Sequence, residues 1–429
     1  MQQISLAYGN DSFKLTIKSD HVIGVLTPQK VQADQSPVKI ISEALNSLPV
    51  THKFQRMARM PGKFPLIIPD KTRNFGASVV LPVLIEQLHR FGVADSDILI
   101  IIAMGSHEPH QAGEIEKLVG KEIYHAYEIV EHDCRDVENL IFVGMTKAGT
   151  PVYLNRHVVE AGKRLVVGTA VHHYFAGYGG GPKMIQPGCA GHETIVRNHA
   201  LSIDQRSGCI HPNCQAGVVA GNPVQADILD SLQFLQVDLL LETVLDENGK
   251  IIFASCGDLF ETHARACRLV DDLYRIPIKG RADLVVASCG GYPKDINFIQ
   301  AHKTLNNAFY AVKERGVILL LAECRDGIGS KTFLRWFQFE NESDFLSALK
   351  QNYTLNGTTA LSVKTKTSKC RVILISKLPS DLVLQLGLTP ARTLDEGLKL
   401  ALSSLSHDFT CIVMPNASLT LPEVKNAVN

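Results

Sequence analysis

The stretch KFPLIIPDKTR occupies residues 63–73, and its first part is a short apolar run that ends in a turn. Apolar side chains at helical spacing follow at residues 78–91, so this segment predicts a buried strand and then an amphipathic helix. Apolar runs at 97–103 and 164–169 predict two further buried strands. Short apolar strands that alternate with amphipathic helices indicate an α/β sheet that is at least partly parallel.

The same alternation restarts near residue 280. The elements predicted there are strands at 283–288, 316–322, 371–376 and 410–414 and a helix at 298–315. We therefore predict an α/β protein of two domains with mostly parallel sheets, residues 1–275 and 276–429. Because ligands usually bind at the carboxyl ends of such strands, we expect the active site in the cleft between the two domains.

The charge balance argues against nucleic acids and membranes as partners. The 429 residues include 43 Lys+Arg and 43 Asp+Glu, so the chain lacks the net positive charge that attracts nucleic acid or anionic lipid. Its apolar runs are far shorter than the ~20 residues that a membrane-spanning helix needs, and its N-terminus lacks the pattern of a signal peptide. Ten scattered cysteines fit a reducing compartment, so we expect a cytoplasmic protein that binds small molecules.

Polar side chains directly follow each of the three strands predicted in the N-terminal domain. They are Asp70, Lys71 and Arg73 after the first strand, His107 and His110 after the second, and His172 and His173 after the third. If the three strands are neighbours, these groups converge on one site. A structural role is the usual alternative for any single histidine, but their joint placement favours function.

The densest glycine cluster, GYGGGPK at residues 177–183, follows the third strand. Glycines such as Gly179, Gly180 and Gly181 allow positive φ and a close approach of the backbone to a phosphate or a nucleotide. The loop matches neither GxxxxGK[ST] nor GxGxxG, so a tight turn is the alternative. Lys183 strengthens the binding interpretation, since a lysine can bind an anion or, when neutral, act as a nucleophile.

Three further patterns could bind ligands. The helical stretch AGHETIVRNH at 190–199 carries two histidines about 10 Å apart along its axis, so we expect at most one of them to bind a given metal ion. Cys209 and Cys214 could also bind a metal, with unligated loop cysteines as the alternative. Gln300 and Lys303 share one face of a predicted helix and could hold a carboxylate, with a solvated helix face as the alternative.

Seven motifs that contain or adjoin these residues occur in a fixed order within residues 65–330. They are DKTR (70–73), GSHEP (105–109), HYFAGYGGGPK (173–183), NH (198–199), GNPVQADI (221–228), GGYPKD (290–295) and QAHK (300–303). Together they resemble the lactate racemase family, whose members use a nickel pincer nucleotide. This cofactor is a pyridinium-3-thioamide-5-thiocarboxylate mononucleotide in which two sulfurs and a ring carbon bind nickel.

The resemblance implies an isomerase that acts on a small 2-hydroxy acid and receives its cofactor from biosynthesis proteins. Lys183 stands where the family joins the cofactor covalently, and His199 stands where a histidine is the fourth nickel ligand. Asp70 matches a residue close to the cofactor, and the glycines at 179–181 are predicted to contact it. The N-terminal domain would therefore carry the cofactor.

The resemblance also implies which residues handle the substrate. His107 and His173 match the two acid/base histidines, which places catalysis in the N-terminal domain. Arg73, Gln300 and Lys303 match groups that bind the substrate carboxylate and neighbouring oxygens. The C-terminal domain would thus contribute substrate-binding residues.

The chemistry of 2-hydroxy acids agrees with these roles. Removing the Cα proton would put a carbanion beside a carboxylate, whereas removing the hydrogen as hydride leaves a planar 2-keto acid. Two histidines are needed because the hydroxyl groups of the two enantiomers point differently. Departures from the family at Pro182, Ile299 and residues 353–366 affect the substrate pocket, so we predict a lactate-like or larger substrate. The alternatives are a nicotinamide-dependent 2-hydroxy acid dehydrogenase and a non-catalytic metal- or nucleotide-binding protein.

Overall fold

The chain folds into two compact units, each discontinuous in sequence. The computed structural model describes residues 1–31, 35–339 and 341–425. The first unit comprises the described residues of Val31–Ser202 and Pro212–Asp271, and the second those of Met1–Lys30, Ile203–His211 and Asp272–Asn429. One boundary lies close to the predicted division at residue 275. However, Met1–Lys30 belong to the second unit and not to the N-terminal domain in which we predicted them.

The strands are numbered in chain order. They are β1 (Gln2–Tyr8), β2 (Asp11–Ile17), β3 (Val22–Val25), β4 (Phe64–Pro69), β5 (Ile98–Ala103), β6 (Glu128–Glu131), β7 (Leu140–Met145), β8 (Pro151–Asn155), β9 (Leu165–Thr169), β10 (Val171–His173), β11 (Gly177–Gly179), β12 (Leu239–Leu245), β13 (Ile251–Gly257), β14 (Arg275–Ile278), β15 (Ala282–Ser288), β16 (Val312–Leu321), β17 (Arg371–Ile375), β18 (Thr389–Ala391), β19 (Cys411–Met414) and β20 (Leu421–Val424).

The α-helices are numbered in the same way. They are α1 (Pro37–Leu45), α2 (Leu48–Ala58), α3 (Ala77–Arg90), α4 (Glu114–Val119), α5 (Lys121–Ala126), α6 (Arg156–Glu160), α7 (His192–Ala200), α8 (Pro223–Ser231), α9 (Leu259–Tyr274), α10 (Phe298–Ala311), α11 (Lys331–Leu334), α12 (Glu342–Gln351), α13 (Gly357–Lys369), α14 (Ser380–Gln385) and α15 (Leu394–Leu402). Within the described ranges, no helix is long and apolar enough to cross a membrane.

A six-stranded sheet forms the core of the first unit, in the order β13-β12-β9-β4-β5-β6. Its strands are parallel except for β13, which joins as an antiparallel edge strand. Every residue of β4 and β5 is buried, as expected for parallel strands that are covered on both faces. The predicted strands β4, β5 and β9 are neighbours, so their carboxyl ends meet at one edge of the sheet.

The second unit has its own six-stranded sheet, in the order β18-β17-β16-β15-β19-β3, and all neighbouring strands are parallel. Because β3 pairs with β19, the N-terminal residues belong to this unit. The helix predicted to residue 315 ends at Ala311, since Val312 is buried and pairs with Ala282 at the start of β16. The two sheets confirm the predicted α/β class with mostly parallel strands.

Local sequence explains where two helices near the predicted site residues begin. The Asn222 side chain accepts the N–H groups of Val224 and Gln225, and Pro223 occupies the first position of α8. The Asn297 side chain accepts the N–H of Gln300 at the start of α10 in the same way. Both helix starts therefore have N–H groups that are satisfied by a capping asparagine.

Candidate active site

Asp70 and His107 form a hydrogen-bonded pair just beyond the carboxyl ends of β4 and β5. Asp70 is buried, whereas the His107 side chain is 48% exposed and can meet a ligand. The His107 Nδ1 lies 2.6 Å from the Asp70 Oδ2, and the Thr72 hydroxyl donates to Asp70 Oδ1 at 2.7 Å. Burial alone would raise the pKa of Asp70, but the charge of His107 and the hydrogen bonds from His107 and Thr72 lower it to about 2. Asp70 is therefore ionised and accepts the Nδ1 proton, which leaves Nε2 of a neutral His107 as the basic nitrogen.

Arg73 lies beside this pair. Its backbone N–H donates to the Asp70 carbonyl at 3.1 Å, and the charge of its guanidinium contributes to the low pKa of Asp70. Its Nη1 also lies 3.9 Å from the point that a Cβ on Gly179 would occupy. The structure thus brings together the residues predicted to bind the substrate carboxylate, to act as a base and to contact the cofactor.

His173, Lys183 and His199 surround the ring of Phe175. The ring centroid of Phe175 lies 4.8 Å from that of His173 and 5.1 Å from that of His199. The Lys183 Nζ lies 5.6 Å from the same centroid. These side chains come from three elements, namely β10, a short 3-10 helix at Gly181–Met184 and α7. One predicted acid/base residue, the predicted attachment lysine and the predicted nickel ligand therefore share one aromatic neighbour.

The two predicted acid/base histidines differ in the nitrogen that carries the proton. His173 is buried, and its Nδ1 accepts the N–H of Ala176 at 3.2 Å. A neutral His173 therefore carries its proton on Nε2, whereas a neutral His107 carries it on Nδ1. In this arrangement a neutral His107 has Nε2 free to accept a proton, whereas a neutral His173 has an Nε2–H that can donate a hydrogen bond.

His199 has the properties of a metal ligand. Burial and the charge of Lys183 lower the pKa of His199 to about 3, so the imidazole is neutral near pH 7. Its Nδ1 is buried and makes no hydrogen bond of good geometry among the described residues, and an interaction with the Ile195 backbone opposes the lowering of the pKa without reversing it. Neutral imidazole is a common ligand of nickel and other transition metals. Since no three His, Cys, Asp or Glu side chains within the described ranges could hold a metal together, an ion at His199 would need ligands from a bound group.

The glycine loop packs tightly against Glu242 and His263. The Gly181 N–H donates to Glu242 Oε1 at 2.8 Å, and Glu242 Oε2 lies 2.8 Å from His263 Nδ1. Burial would lower the pKa of His263, but the charge of Glu242 and the hydrogen bonds with Cys267 and Glu242 raise it to about 10. A charged pair thus lies directly beneath the loop that carries Lys183. This packing explains why the loop has glycines at these positions. The contact of Gly179, Gly180 and Gly181 with the cofactor stays a prediction.

Gly180→Ala is expected to destabilise the protein by about 3–4 kcal/mol. Gly180 has a φ of +86°, and a Cβ would lie 2.0 Å from Glu242 Oε1 and 2.5 Å from the Thr169 carbonyl oxygen. Gly113→Ala is the matched control, because Gly113 has a φ of +80° but no atom within 4 Å of its Cβ position. The control should lose only about 1 kcal/mol, and urea unfolding followed by circular dichroism measures both. Equal losses would show that the loop has room for a side chain.

Gln300 and Lys303 lie on α10 in the second unit. The Lys303 Nζ donates to the Gln300 Oε1 at 2.6 Å, so the predicted shared helix face is confirmed. His302, between them in sequence, instead makes a hydrogen bond to Ser362 Oγ at 2.9 Å within the protein. The predicted location of the site between the two domains stays a prediction.

Four other residues that the sequence singled out lie outside the groups described above. The side chains of His110 and His172 are 0% and 6% exposed, and each lies within hydrogen-bond distance of a carboxylate. Cys209 and Cys214 are both free thiols, and burial raises the pKa of Cys214 to about 12. Both interpretations of this pair, a metal site and unligated loop cysteines, stay predictions.

Sequence models of two known domains match the chain. The model of the lactate racemase N-terminal domain matches residues 8–209, and that of the lactate racemase C-terminal domain matches residues 278–419. The chain belongs to the lactate racemase family. It is therefore an enzyme, and specifically an isomerase of the racemase type.

Members of the lactate racemase family align with almost the whole chain. The lactate racemases of Thermoanaerobacterium thermosaccharolyticum and Lactiplantibacillus plantarum are each 27% identical over 424 residues, which is 97% of this chain and 98% of each relative. The lactate racemase apoprotein from Thermoanaerobacterium thermosaccharolyticum has a similar structure, with a TM-score of 0.89 and 27% identity over 98% of this chain and 100% of that one. A crystal structure of a Thermotoga maritima protein covers 87% of this chain and 98% of that one with a TM-score of 0.64. At 17% identity it shows the shared fold alone.

Sequence reasoning missed two residues of this candidate site. Phe175 lies inside a motif that carries the resemblance, but an apolar residue gave no chemical signal of its own. Glu242 could have been noticed, because it is the one charged residue in the apolar strand LLLETVL. A charge in a strand of this kind requires a buried partner, which is His263.

Proposed function

We propose that this enzyme inverts the hydroxyl-bearing carbon of a 2-hydroxy acid with a nickel pincer nucleotide attached to Lys183. The observation that carries the proposal is the group around Phe175, where Lys183 and a neutral His199 share one aromatic neighbour. A lysine amine and a neutral imidazole fit a cofactor that is held by a covalent bond and by its metal. The family's cofactor has both features.

Hydride transfer is the reaction step that such a substrate requires. Removal of hydrogen as hydride and of the hydroxyl proton converts the 2-hydroxy acid to a planar 2-keto acid, and return of hydride to the other face gives the opposite enantiomer. The bound nucleotide supplies the group that accepts and returns hydride. The protein residues orient the substrate and move the hydroxyl proton.

His107 and His173 are the residues that we propose for proton transfer. With Asp70 accepting the Nδ1 proton, the Nε2 of His107 takes the hydroxyl proton of one enantiomer. His173, whose Nδ1 accepts a backbone N–H, carries Nε2–H when neutral and can hydrogen-bond to the substrate oxygen. To give a proton to the carbonyl oxygen when the other enantiomer forms, it acts as an imidazolium, which releases the Ala176 N–H from Nδ1 and becomes neutral after the transfer. In the reverse direction the two residues exchange these roles.

Arg73, Gln300 and Lys303 are proposed to bind the substrate carboxylate. A guanidinium binds a carboxylate through two parallel hydrogen bonds and remains charged at every working pH. The Gln300 amide is held by Lys303, so an amide and an ammonium are presented together. A carboxylate held at one end lets the 2-keto carbon turn its other face toward the hydride donor.

Lactate is the first substrate to test, because the similar curated proteins are lactate racemases. The test combines intact-protein mass spectrometry with a substrate panel, using protein co-produced with the cofactor biosynthesis enzymes. The panel contains enantiopure lactate, malate, aromatic lactates and sugar acids, and chiral chromatography follows each. We expect a mass increase on Lys183 and racemisation of at least one acid. An active enzyme with unmodified Lys183 would overturn the proposal, tight NAD binding would support a dehydrogenase, and ligand binding without turnover would support a carrier.

A cytoplasmic location is part of the proposal. All ten cysteines of the sequence are free thiols in the structure, which fits a reducing compartment. Loading by cofactor biosynthesis proteins in the same compartment would follow from this location.

His199→Ala is expected to lower the nickel content of the loaded protein roughly 10-fold or more, because it removes a direct metal ligand. His192→Ala is the matched control, since His192 lies at the first position of the same helix. His107→Gln and His173→Gln should abolish racemisation with little change in nickel. Metal analysis by plasma mass spectrometry measures nickel per protein chain, and similar nickel contents in the His199 and His192 variants would contradict the assignment.

A further inference from the structure

A buried carboxylate, Asp227 on α8, has no part in the chemistry described above. Asp227 is 2% exposed. Its Oδ2 accepts hydrogen bonds from the side-chain amides of Asn198 at 2.9 Å and Gln186 at 3.3 Å. Its Oδ1 accepts the hydroxyl of Thr146 at 2.5 Å. One carboxylate therefore joins three separate segments of the first unit.

Two of these donors lie next to the residues that would hold the cofactor. Gln186 follows Lys183 by three positions, and Asn198 immediately precedes His199. Through a single oxygen atom, Asp227 thus connects the segment that carries the attachment lysine to the helix that carries the proposed nickel ligand. The backbones of these segments are therefore held at a fixed separation.

Few other contacts fix the two amides. Gln186 and Asn198 are both completely buried, and among the described residues neither amide oxygen has a hydrogen-bond partner. Apart from Asp227, the Asn198 amide donates to the Val224 carbonyl at 3.1 Å. Hydrogen bonds to a charged acceptor are stronger than those between neutral groups, so Asp227 is the main anchor of both side chains.

The charge of Asp227 is not used in an ion pair. Its hydrogen-bond donors are two amides and a hydroxyl, and within the described ranges no Lys, Arg or His forms a salt bridge with it. A buried carboxylate without a cation is costly, and it persists where its acceptor atoms fix a required geometry. Here the atoms that it fixes lie beside Lys183 and His199.

We propose that Asp227 is a positioning residue that sets the separation of Lys183 and His199 and thereby stabilises nickel in the loaded enzyme. The proposal rests on the proposed function. Attachment at Lys183 depends on the amine itself, whereas the metal bond to His199 depends on where α7 holds the imidazole. Loss of the anchor should therefore weaken nickel binding more than it reduces covalent attachment.

The test compares Asp227→Ala, Asp227→Asn and Asp230→Ala in loaded full-length protein. Asp230 lies on the same helix and accepts the backbone N–H of Lys147 at 2.6 Å, next to Thr146. Among the described residues it accepts no hydrogen bond from Gln186 or Asn198, so it is the control for loss of a carboxylate that does not hold the two amides. Intact mass gives the fraction of Lys183 that carries the adduct, and metal analysis during dialysis against a chelator gives the rate of nickel loss.

We expect Asp227→Ala to keep the adduct and to lose nickel about 10-fold faster than the wild type. Asp227→Asn should remain within about 3-fold of the wild type, because its carbonyl oxygen can still accept from both amides while its NH₂ donates to Thr146. Asp230→Ala should match the wild type. Nickel loss from Asp227→Ala at the wild-type rate would overturn the proposal. In a folded variant, a parallel loss of adduct and nickel would also overturn it.

If Asp227→Ala does not fold, Gln186→Met tests the proposal instead. Methionine has a side chain of similar length but lacks the amide that donates a hydrogen bond to Asp227. Nickel loss from this variant at the wild-type rate would overturn the proposal.

An experiment on unloaded protein separates this proposal from the proposed function. The rate of backbone amide hydrogen exchange at residues 183–200 should increase in Asp227→Ala but not in Asp230→Ala. If Asp227→Ala does not fold, the increase is expected in Gln186→Met. A wild type without an adduct would contradict the proposed function, whereas unchanged exchange in the anchor variant would contradict the anchor.

Discussion

Asp70→Asn is expected to lower kcat by about 10³- to 10⁴-fold in both directions of racemisation. The Asp70 carboxylate accepts the Nδ1 proton of His107 at 2.6 Å, which keeps the basic Nε2 available for the substrate. An asparagine amide would instead donate to Nδ1 and shift the histidine proton to Nε2, so His107 could no longer accept the hydroxyl proton. Chiral chromatography of both enantiomers measures the initial rates.

The covalent adduct and the nickel content of Asp70→Asn should remain close to those of the wild type, which separates a proton-transfer defect from a loading defect. Thr72→Val is a suitable control, because it removes only the hydroxyl that donates to the other carboxylate oxygen. It should cost less than about 10-fold in kcat. A similar small loss in Asp70→Asn would show that the carboxylate does not orient His107.

The same substitution changes the stability of the protein in acid. The pKa of Asp70 is lowered from 3.8 to about 2 in the folded protein, so the ionised carboxylate stabilises the fold above about pH 4. This contribution, about 2 kcal/mol, is lost as the pH falls through the folded pKa. Unfolding by acid between pH 4 and pH 2 should therefore be less steep in Asp70→Asn than in the wild type.

Lys183→Arg is expected to abolish both covalent loading and racemisation. A guanidinium remains protonated at all working pH values and offers no nucleophilic amine, although it preserves the positive charge. The long apolar stem can still pack on Phe175, whose ring centroid lies 5.6 Å from the lysine Nζ, so the fold should be retained. Intact mass should show no adduct, and turnover should fall by at least about 10⁴-fold.

Lys147→Arg is the control for this experiment, because Lys147 is 88% exposed and lies on the surface. It should load and turn over like the wild type. Residual activity above about 1% in Lys183→Arg, a loss of less than 3 kcal/mol in transition-state stabilisation, would mean that the cofactor functions without the covalent bond.

The first-unit sheet could be predicted from sequence because its central strands are continuous apolar runs. β4 and β5 are buried along their whole length, so their residues show no alternation and are easily recognised. β3 could not be assigned to its sheet in this way. Two of its four residues are partly buried and two are exposed, and its partner β19 lies at the other end of the chain. No local pattern contains that information.

The chemical types in the candidate site could be predicted, but the roles of individual histidines required the structure. His107 and His110 follow the same strand, and His172 and His173 adjoin in sequence, so their spacing does not distinguish them. The structure distinguishes these histidines by the exposed fraction of each side chain and by the hydrogen-bond partner that it has far away in sequence. His110 is enclosed against Glu131, the last residue of β6, whereas about half of the His107 side chain remains accessible.

The pairing of β3 with β19 bears on how the chain folds as it is synthesised. The first unit has all of its strands once Asp271 has left the ribosome, because its segments are contiguous apart from one short excursion. β3 emerges much earlier, yet it has no sheet to join until the buried strand Cys411–Met414 has been made. The second unit therefore completes its sheet only at the end of synthesis, and until then the edge of β15 lacks β19, the strand that covers it. Removal of Met1–Lys30 would leave the edge of β19 open permanently, available for pairing with other chains.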